Sequence, residues 1–308
     1  MVQRQERQGM DFIAVDWGST RFRAWSLDSD GQVRDSTESD TGLKAVTDGA
    51  FEAVLMAACG DWMASDPALP ILMSGMVGSR AGWKEAPYCP CPADMADISA
   101  AAIGFDVAGH PAAILPGATC DDARGHADVM RGEEVQIFGA AELLGLTDAA
   151  ICIPGTHAKW ARLAGGRLTG FETHMTGEIF ALLRSQSLVG ALAEGDADDP
   201  QAFLDGVDHG MAVPVPHAAF AARADALQGR LPATSVSAFL SGVLIGGELA
   251  HRPDADETIL LATGVLADRY AAALDHLGTA VRKVDAKEAT RAGQVRAAAA
   301  LWPGRVGA

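Results

Sequence analysis

The segment AVDWGST (residues 14–20) ends an apolar run with an aspartate, a glycine and two hydroxyl side chains, and the chain then continues as RFRAWSLD. Such a loop exposes backbone N–H groups, because glycine lets an anion approach the main chain closely. The Asp16 carboxylate stands where it can hold a magnesium ion through the water molecules of the metal. The segment is therefore a candidate site for phosphate and a divalent metal, although one loop alone is weak evidence.

A second loop of glycine and hydroxyl residues, Pro154-Gly-Thr-His157, follows the apolar run AAICI at residues 149–153. Both loops belong to the same series of strand, loop, strand, tight turn, strand and helix. This similarity predicts an internal duplication, although α/β proteins also repeat strand–loop–helix units by default. Neither GxGxxG after a first strand nor GxxxxGK[ST] occurs, which disfavours dinucleotide-binding and P-loop folds. Two such loops facing each other across a cleft could hold a polyphosphate from both sides.

Hydrophobic periodicity and turn residues predict the elements that position these loops. Predicted strands cover residues 11–15, 21–27, 32–38, 70–74, 149–153, 160–163, 167–173 and 259–264. Predicted helices cover 132–146, 239–250 and 265–277, and a further helix begins at Thr176. The helix at 239–250 is apolar nearly all round and should be buried. Two other helices have predicted buried faces: Phe51, Val54, Leu55, Ala58 and Trp62 in the first, and Leu266, Tyr270, Ala273, Leu274 and Leu277 in the second.

Charge and composition disfavour several classes of partner. The net charge is −16 and no block of Lys or Arg occurs, so neither nucleic acid nor an anionic membrane is an expected partner. Five cysteines without a CxxC pair indicate neither a disulfide framework nor a zinc site. The N-terminal segment does not resemble a secretory signal, and no run approaches about 18 apolar residues. We therefore expect a cytoplasmic protein.

Several strings of the sequence resemble a known family of kinases. The two loops resemble the phosphate loops of the actin/hexokinase/Hsp70 ATPase superfamily. Within it, the chain resembles the 2-dehydro-3-deoxygalactonokinase family through SGMVGSRAGWKEAPYCPCPA (74–93), DVMRGEEVQIFGA (128–140), IPGTHAKW (153–160), MTGEIFALLR (175–184) and FLSGVLIGGELA (239–250). The resemblance implies an α/β fold of two ribonuclease-H-like domains around an interdomain cleft. Residues 1–138 would form the sugar-acid domain with the first phosphate loop, and residues 139–308 the nucleotide domain with the second.

The resemblance implies an ATP- and Mg²⁺-dependent kinase that phosphorylates the 6-hydroxyl of 2-dehydro-3-deoxy-D-galactonate, in galactonate catabolism. The nearest alternative is a kinase of another keto-sugar acid, such as 2-keto-3-deoxygluconate, or of a hexose, because the sequence does not define the stereochemistry of the acid. A protein-binding ATPase of the actin or Hsp70 kind is disfavoured, since 308 residues leave no room for a peptide-binding domain. The expected partner is a small sugar acid, and a homodimer is left open.

The resemblance also implies which residues bind the nucleotide. Phosphates would be held by Gly18, Ser19 and Thr20 from the first domain and by Gly155, Thr156, His157 and Lys159 from the second. Gly264 would lie beside adenosine. The alternative for His157 and Lys159 is a structural role, in which the histidine only holds its own turn.

The string that follows the strand at 70–74 would bind the sugar acid through Ser74, Arg80, Trp83 and Glu85. Arg80 is the first candidate for the substrate carboxylate and Arg131 the second, because a guanidinium binds a carboxylate with two hydrogen bonds. Arg80 could instead form a surface ion pair.

The general base is predicted to be Glu133, which stands where related sugar kinases have an aspartate after glycine. Glu134 and Asp128 are the alternatives. Adjacent residues on a helix point about 100° apart, so only one of the two glutamates should face the cleft. Both could instead be first-turn acids that complement the helix dipole.

Overall fold

The computed structural model describes residues 12–28, 30–195 and 198–304. Its contacts divide the chain into two compact units. The first unit contains the chain up to Thr147, the segment Ala164–Gly170 and the chain from Ala286 onward, and the second contains Asp148–Leu163 and Phe171–Asp285. Within the described ranges, no helix is long and apolar enough to cross a membrane.

Strands predominate in the first half of the chain. Its elements are β1 (Phe12–Trp17), β2 (Phe22–Leu27), β3 (Val33–Ser39), α1 (Phe51–Ser65), β4 (Ile71–Ser74), β5 (Tyr88–Pro90), α2 (Met95–Ala100), β6 (Ile103–Val107), β7 (His110–Ile114), β8 (Gly117–Asp121), β9 (Ala127–Met130) and α3 (Glu133–Leu144). Short 3-10 turns cover Leu43–Ala45 and Met76–Gly78.

Helices predominate in the second half. Its elements are β10 (Ala149–Ile153), β11 (Ala158–Ala164), β12 (Arg167–His174), α4 (Thr176–Gln186), α5 (Pro200–Ala212), α6 (Val215–Leu227), α7 (Val236–Leu249), β13 (Glu257–Leu261), α8 (Gly264–His276), β14 (Ala280–Val284) and α9 (Ala286–Leu301). Further 3-10 turns cover Gly190–Leu192 and Ala233–Ser235. The strand predicted at 149–153 and the helix predicted from Thr176 are confirmed.

Two mixed sheets share one strand plan. The first has the order β3-β2-β1-β4-β7-β6 and the second the order β12-β11-β10-β13-β14, and β5-β8-β9 form a small third sheet. In the first sheet β1 pairs antiparallel with β2 and parallel with β4. In the second sheet β10 pairs antiparallel with β11 and parallel with β13. The strands thus follow the same order twice, as the repeated sequence pattern predicted, and the fold is mixed α/β.

Helix α9 returns the end of the chain to the first unit. It packs against α3, where Gly139 and Gly293 let the two backbones approach closely. The Gln294 side chain donates to the carbonyl of Val15 and to the Ser74 hydroxyl, both at 2.8 Å. The predicted boundary at 138/139 falls inside α3, whereas the first unit extends to Thr147 and includes α9.

The buried faces of two helices differ from those predicted. In α1 the buried positions are Phe51, Leu55, Cys59 and Met63, whereas the predicted positions 54, 58 and 62 are only partly buried. Leu266 of α8 is 39% exposed, and Ala267 is buried in its place. Periodicity identified both helices correctly, but small residues such as Ala and Cys decided which neighbouring stripe faces the core.

Candidate active site

The first phosphate-loop candidate joins β1 to β2 in the first unit. The Gly18 N–H donates to the Arg21 carbonyl at 2.9 Å, which closes a tight turn. The carbonyls of Gly18 and Ser19 accept from the N–H groups of Leu43 and Lys44, at 2.9 and 3.0 Å. Ser19 is half-buried and Thr20 is exposed. Backbone hydrogen bonds therefore fix the loop on one side, and the Thr20 side chain lies at the surface on the other.

Asp16 lies at the end of β1, and its side chain is 16% exposed. Arg23 is directly opposite it in the β1–β2 register and donates to Asp16 Oδ2 at 3.0 Å. Burial raises the pKa of Asp16, while the Arg23 charge opposes that rise. No group of three or more potential metal ligands exists among the described residues. A single carboxylate is compatible with Mg²⁺ held through its waters, because this metal takes few carboxylates from a protein, and the metal role of Asp16 remains a prediction.

Two glycines bring the start of α3 to the ends of β1 and β4. Gly75 has a φ of +91°, and a Cβ placed there would lie 3.0 Å from the Trp17 carbonyl oxygen and 3.4 Å from Asp16 Oδ1. Gly132 has a φ of +108°, and its Cβ would lie 3.2 Å from the Gly75 Cα. A residue larger than glycine would not fit the positive φ or the close contacts at either position. The structure therefore places Asp16 close to the segment that ends in Glu133. Sequence patterns assigned neither glycine a role, although both lie in the matching strings.

The two glutamates at the start of α3 have different surroundings. Glu134 has no exposed surface, and its two carboxylate oxygens accept from the Gly132 N–H at 2.9 and 2.7 Å. Burial, and secondly the charge of Glu133, raise the pKa of Glu134 to about 8. Glu133 is half-buried, and its Oε2 accepts from the Arg131 N–H at 3.0 Å. The two side chains therefore differ in burial, and Glu133 is the more accessible.

Asp128, the third candidate base, lies on β9 in the small sheet, where it pairs with Cys120 of β8. Its Oδ1 accepts from the Val129 N–H at 2.7 Å. Asp128 therefore lies on a different element from Glu133 and Glu134, which are in the first turn of α3.

Of the predicted substrate residues, Ser74 is buried, and Trp83 is partly buried and packs against the core. Ser74 is 1% exposed, and its hydroxyl accepts from Gln294 at 2.8 Å. The Trp83 ring stacks on Phe51 with centroids 6.1 Å apart and meets Phe105 edge-on at 5.2 Å. The expected contact of Ser74 with a sugar acid does not fit this burial, and Trp83 has a packing role that accounts for its position.

The candidate arginines differ sharply in burial. Arg80 and Glu85 are exposed, and the described residues include no hydrogen-bond or ion-pair partner for either side chain. The Arg131 guanidinium lies over the Tyr88 ring, 4.3 Å from its centroid, and donates from Nη2 to the Ala86 carbonyl at 2.9 Å. Its Nε and Nη1 are buried and have no partner in the described structure. Two donor atoms of Arg131 are therefore buried and unsatisfied, one position before the Gly132–Glu133 segment.

The second phosphate-loop candidate, in the second unit, is held by the start of α4. A Cβ on Gly177 would lie 2.5 Å from the Gly155 carbonyl oxygen, so the helix touches the loop backbone directly. The Glu178 N–H donates to the Thr156 carbonyl at 3.0 Å, and the Glu178 carboxylate lies 2.5 Å from His157 Nε2. This contact agrees with the alternative in which His157 stabilises its own turn.

Lys159 and Gly264 have opposite exposures. Lys159 lies on β11 opposite Ile153 and is 4% exposed, whereas residues 156 and 157 are exposed. Burial of Lys159 agrees with the alternative of a structural role, and its phosphate contact remains a prediction. Gly264 is the exposed first residue of α8, with a φ of +69°. The next residue, Val265, is 68% exposed. An exposed glycine beside an exposed apolar side chain is compatible with the predicted adenosine contact, which remains a prediction.

Comparison with known proteins places these residues in a family. A sequence profile of 2-keto-3-deoxy-galactonokinase matches residues 16–297. The chain belongs to the 2-keto-3-deoxy-galactonokinase family. A protein of Rhizobium meliloti (strain 1021), named a probable 2-dehydro-3-deoxygalactonokinase, is 42% identical over 95% of this chain and 98% of its own. The 2-dehydro-3-deoxygalactonokinase of Escherichia coli (strain K12) is 36% identical over 92% of this chain and 95% of its own.

The family also shares the fold. A crystal structure from Sinorhizobium meliloti, assigned to 2-dehydro-3-deoxygalactonokinase, superposes with a TM-score of 0.88 at 40% identity. The match covers 95% of this chain and 99% of that one. The predicted resemblance to this kinase family is confirmed. The roles predicted for individual residues remain predictions.

Proposed function

We propose that the protein is a cytoplasmic, ATP- and Mg²⁺-dependent kinase that phosphorylates the 6-hydroxyl of 2-dehydro-3-deoxy-D-galactonate. The family match over residues 16–297 is the observation that supports this function most strongly. We also propose that the two sheets with the same strand plan are the cores of two ribonuclease-H-like domains of the actin-like ATPase type. The first would belong to the sugar-acid domain and the second to the nucleotide domain.

The proposed chemistry is an in-line transfer. Glu133 accepts the proton of the attacking hydroxyl, the hydroxyl oxygen bonds to the γ-phosphorus, and the bond to the β-phosphate oxygen breaks to release ADP. The Gly18–Thr20 loop and the Gly155–His157 loop bind the phosphates. Asp16 would hold a magnesium ion, which would supply charge neutralisation on the phosphates when bound.

Among the three carboxylates considered as the base, Glu133 has the most suitable surroundings. Glu134 is fully buried and holds the Gly132 backbone, and Asp128 belongs to β9. Glu133 is half-buried and stands one residue after Gly132, whose backbone touches Gly75 beside Asp16. This supports a catalytic carboxylate close to the predicted magnesium-binding aspartate.

We place Arg131 ahead of Arg80 as the residue that binds the substrate carboxylate. Buried guanidinium donors without a partner cost free energy, and a carboxylate that accepts from one of them would reduce that cost. Nε and Nη1 of Arg131 are such donors. Arg80 is exposed, so an ion pair there would be screened by solvent. Selection for a sugar acid over a plain sugar would then depend on Arg131.

A coupled ADP-release assay with a panel of substrates tests the proposed function. The panel contains 2-keto-3-deoxygalactonate, 2-keto-3-deoxygluconate, an aldonic acid and plain hexoses. We expect the highest kcat/KM for 2-keto-3-deoxygalactonate. A higher value for the gluconate epimer or for a hexose would replace the proposed substrate, and no turnover of any sugar would refute the kinase.

The same assay on two arginine variants tests the carboxylate contact. Arg131→Ala should raise the KM for the sugar acid by roughly ten- to a hundredfold, because a hydrogen bond to a charged group contributes about 1.5–3 kcal/mol. The KM for ATP should stay near the wild-type value. Arg80→Ala is the matched control and should change neither constant. The opposite result, with Arg80 as the sensitive position, would contradict the assignment.

A further inference from the structure

A buried carboxylate lies behind the second loop. Glu248 is near the end of α7, in a helix whose side chains are almost all buried, and is itself 3% exposed. It accepts from Trp160 Nε1 and from the Tyr270 hydroxyl, both at 2.7 Å, and from the Thr176 hydroxyl. A buried carboxylate costs free energy unless hydrogen bonds satisfy it, and here three donors do so. We call Glu248 and these three donors the Glu248 cluster.

Each donor of the Glu248 cluster belongs to an element that borders a predicted nucleotide contact. Trp160 lies on β11, which begins directly after the loop Pro154–His157. Thr176 is the first residue of α4, and the next two residues of that helix contact the loop. Tyr270 lies on α8, which begins at Gly264. One carboxylate therefore ties together the strand after the loop, the helix that holds the loop, and the helix that begins at the predicted adenosine contact.

We propose that Glu248 is a positioning residue for nucleotide binding. It fixes the start of α4 through Thr176, and α4 in turn fixes the backbone of Gly155 and Thr156. This inference rests on the proposed function, because it assumes that these loop residues bind the phosphates of ATP. Glu248 does not touch the nucleotide, and it acts through the geometry of the loop.

The link through Thr176 is the step that distinguishes positioning from ordinary core packing. Gly177 and Glu178 follow Thr176 directly, and they contact the loop through a backbone contact and through a 3.0 Å hydrogen bond to the Thr156 carbonyl. If the Thr176 hydroxyl is lost, the first turn of α4 can move and the loop moves with it. A hydroxyl–carboxylate bond elsewhere in the same unit has no such connection.

Thr176→Val is the main test, since valine keeps the branched shape and removes only the hydroxyl. Ser235→Ala is the matched control: Ser235 is also buried and donates to the Asp199 carboxylate at 2.6 Å, at the start of α5. We expect Thr176→Val to raise the KM for ATP and the Kd for ADP by roughly tenfold, as expected for one lost hydrogen bond in a binding geometry. The KM for the sugar acid should stay within twofold. Ser235→Ala should leave both nucleotide constants unchanged.

Glu248→Gln adds a stronger perturbation. The amide oxygen can still accept from Trp160, whose indole is only a donor, but the amide nitrogen cannot accept, so the Thr176 and Tyr270 hydroxyls would lose their acceptor and have to turn round to accept instead. The nucleotide constants should rise further than in Thr176→Val. Amide hydrogen exchange of residues 154–160 should be faster in both variants than in Ser235→Ala.

Several outcomes would overturn the inference. One is a KM for ATP in Thr176→Val equal to that in Ser235→Ala. Another is an equal rise of both substrate constants, which would indicate a general loss of structure. ADP affinity and hydrogen exchange do not require turnover. A wild-type protein that binds ADP but phosphorylates no sugar would therefore refute the proposed function and still leave the positioning role measurable.

Discussion

Glu134 makes a sharp prediction about stability and pH. It has no exposed surface, and its carboxylate oxygens accept from the backbone N–H of Gly132. Burial is the main reason that its pKa rises to about 8, and the neighbouring charge of Glu133 adds to the rise. We expect the wild-type protein to lose stability as the pH rises. The Glu134→Gln variant should not show this loss. Glutamine keeps the size of the side chain and an oxygen that accepts from Gly132, but it has no proton to release.

The sign and size of this pH effect on the free energy of unfolding follow from proton linkage. The unfolded chain releases the Glu134 proton near the ordinary pKa of 4.5, whereas the folded protein keeps it up to about pH 8. Between these values the folded state binds one more proton, so the free energy of unfolding falls with rising pH by about 1.4 kcal/mol per pH unit. Over the whole interval the loss is about 5 kcal/mol, which is large beside the total of about 5–15 kcal/mol for a typical protein. Above pH 8 this group contributes no further change.

Urea unfolding at five pH values from 5 to 9, on both proteins, measures this effect. The wild-type free energy of unfolding should fall relative to that of Glu134→Gln up to about pH 8, and the difference should then stay constant. Other titrating groups cancel in the difference. Glu142→Gln, which removes an exposed carboxylate from the same helix, is the control for substitution itself. A difference between wild type and Glu134→Gln that does not vary with pH would show that Glu134 is ionised in the folded protein throughout, and would refute the reasoning.

Three further predictions concern the residues around this helix. Glu133→Gln should lower kcat by roughly 10²- to 10⁴-fold with both substrates still bound; a larger loss in Asp128→Asn would move the base to that residue. Asp16→Asn should lower kcat by roughly ten- to a hundredfold and shift the magnesium dependence to higher concentration; a normal magnesium titration would leave Asp16 only its ion pair with Arg23. Gly75→Ala should cost about 1–3 kcal/mol of stability, measured by urea unfolding, because of the positive φ and the contact with the Trp17 carbonyl; unchanged stability would show that the backbone can relax there.

Local signals in the sequence predicted the two repeated strand series well. The second strand series depends on the apolar run at 149–153, the Gly165-Gly166 turn and the helix that begins at Thr176, and each of these is encoded within a few residues. Period-two alternation and turn glycines act over the same short distance as the hairpins that they specify. The repeated order of strands in the two sheets could therefore be anticipated from the pattern alone.

Long-range packing could not be anticipated in the same way. The return of α9 to the first unit depends on close contact at Gly139 and Gly293 and on the bonds of Gln294, across more than a hundred residues of sequence. The same contacts explain why Ser74 is buried: its hydroxyl accepts from Gln294. Residue type suggested a substrate contact for Ser74, but type alone does not indicate burial.

The contrast between Arg80 and Arg131 has a similar origin. Both arginines lie in matching strings, and the sequence ranked Arg80 first. What separates them is the Tyr88 ring and the Ala86 carbonyl, which hold the Arg131 guanidinium in place with two donors still unsatisfied. These contacts join residues more than forty positions apart, so no local pattern could predict them.

Each unit has a buried glutamate near its own candidate residues, but the sequence signals the two glutamates differently. Glu134 follows Glu133 in the string GEEV, where two adjacent acids at a helix start are ordinary and give no indication that one is buried. Glu248 is the one acidic residue in FLSGVLIGGELA, a helix apolar nearly all round. A carboxylate buried in such a helix must be hydrogen-bonded, so its position in the sequence predicts that polar partners surround it. Those partners are Trp160, Thr176 and Tyr270. A charge within an otherwise apolar helix is therefore the sequence signal that would have pointed to the Glu248 cluster, whereas Glu134 could be recognised only from its burial and its bond to Gly132.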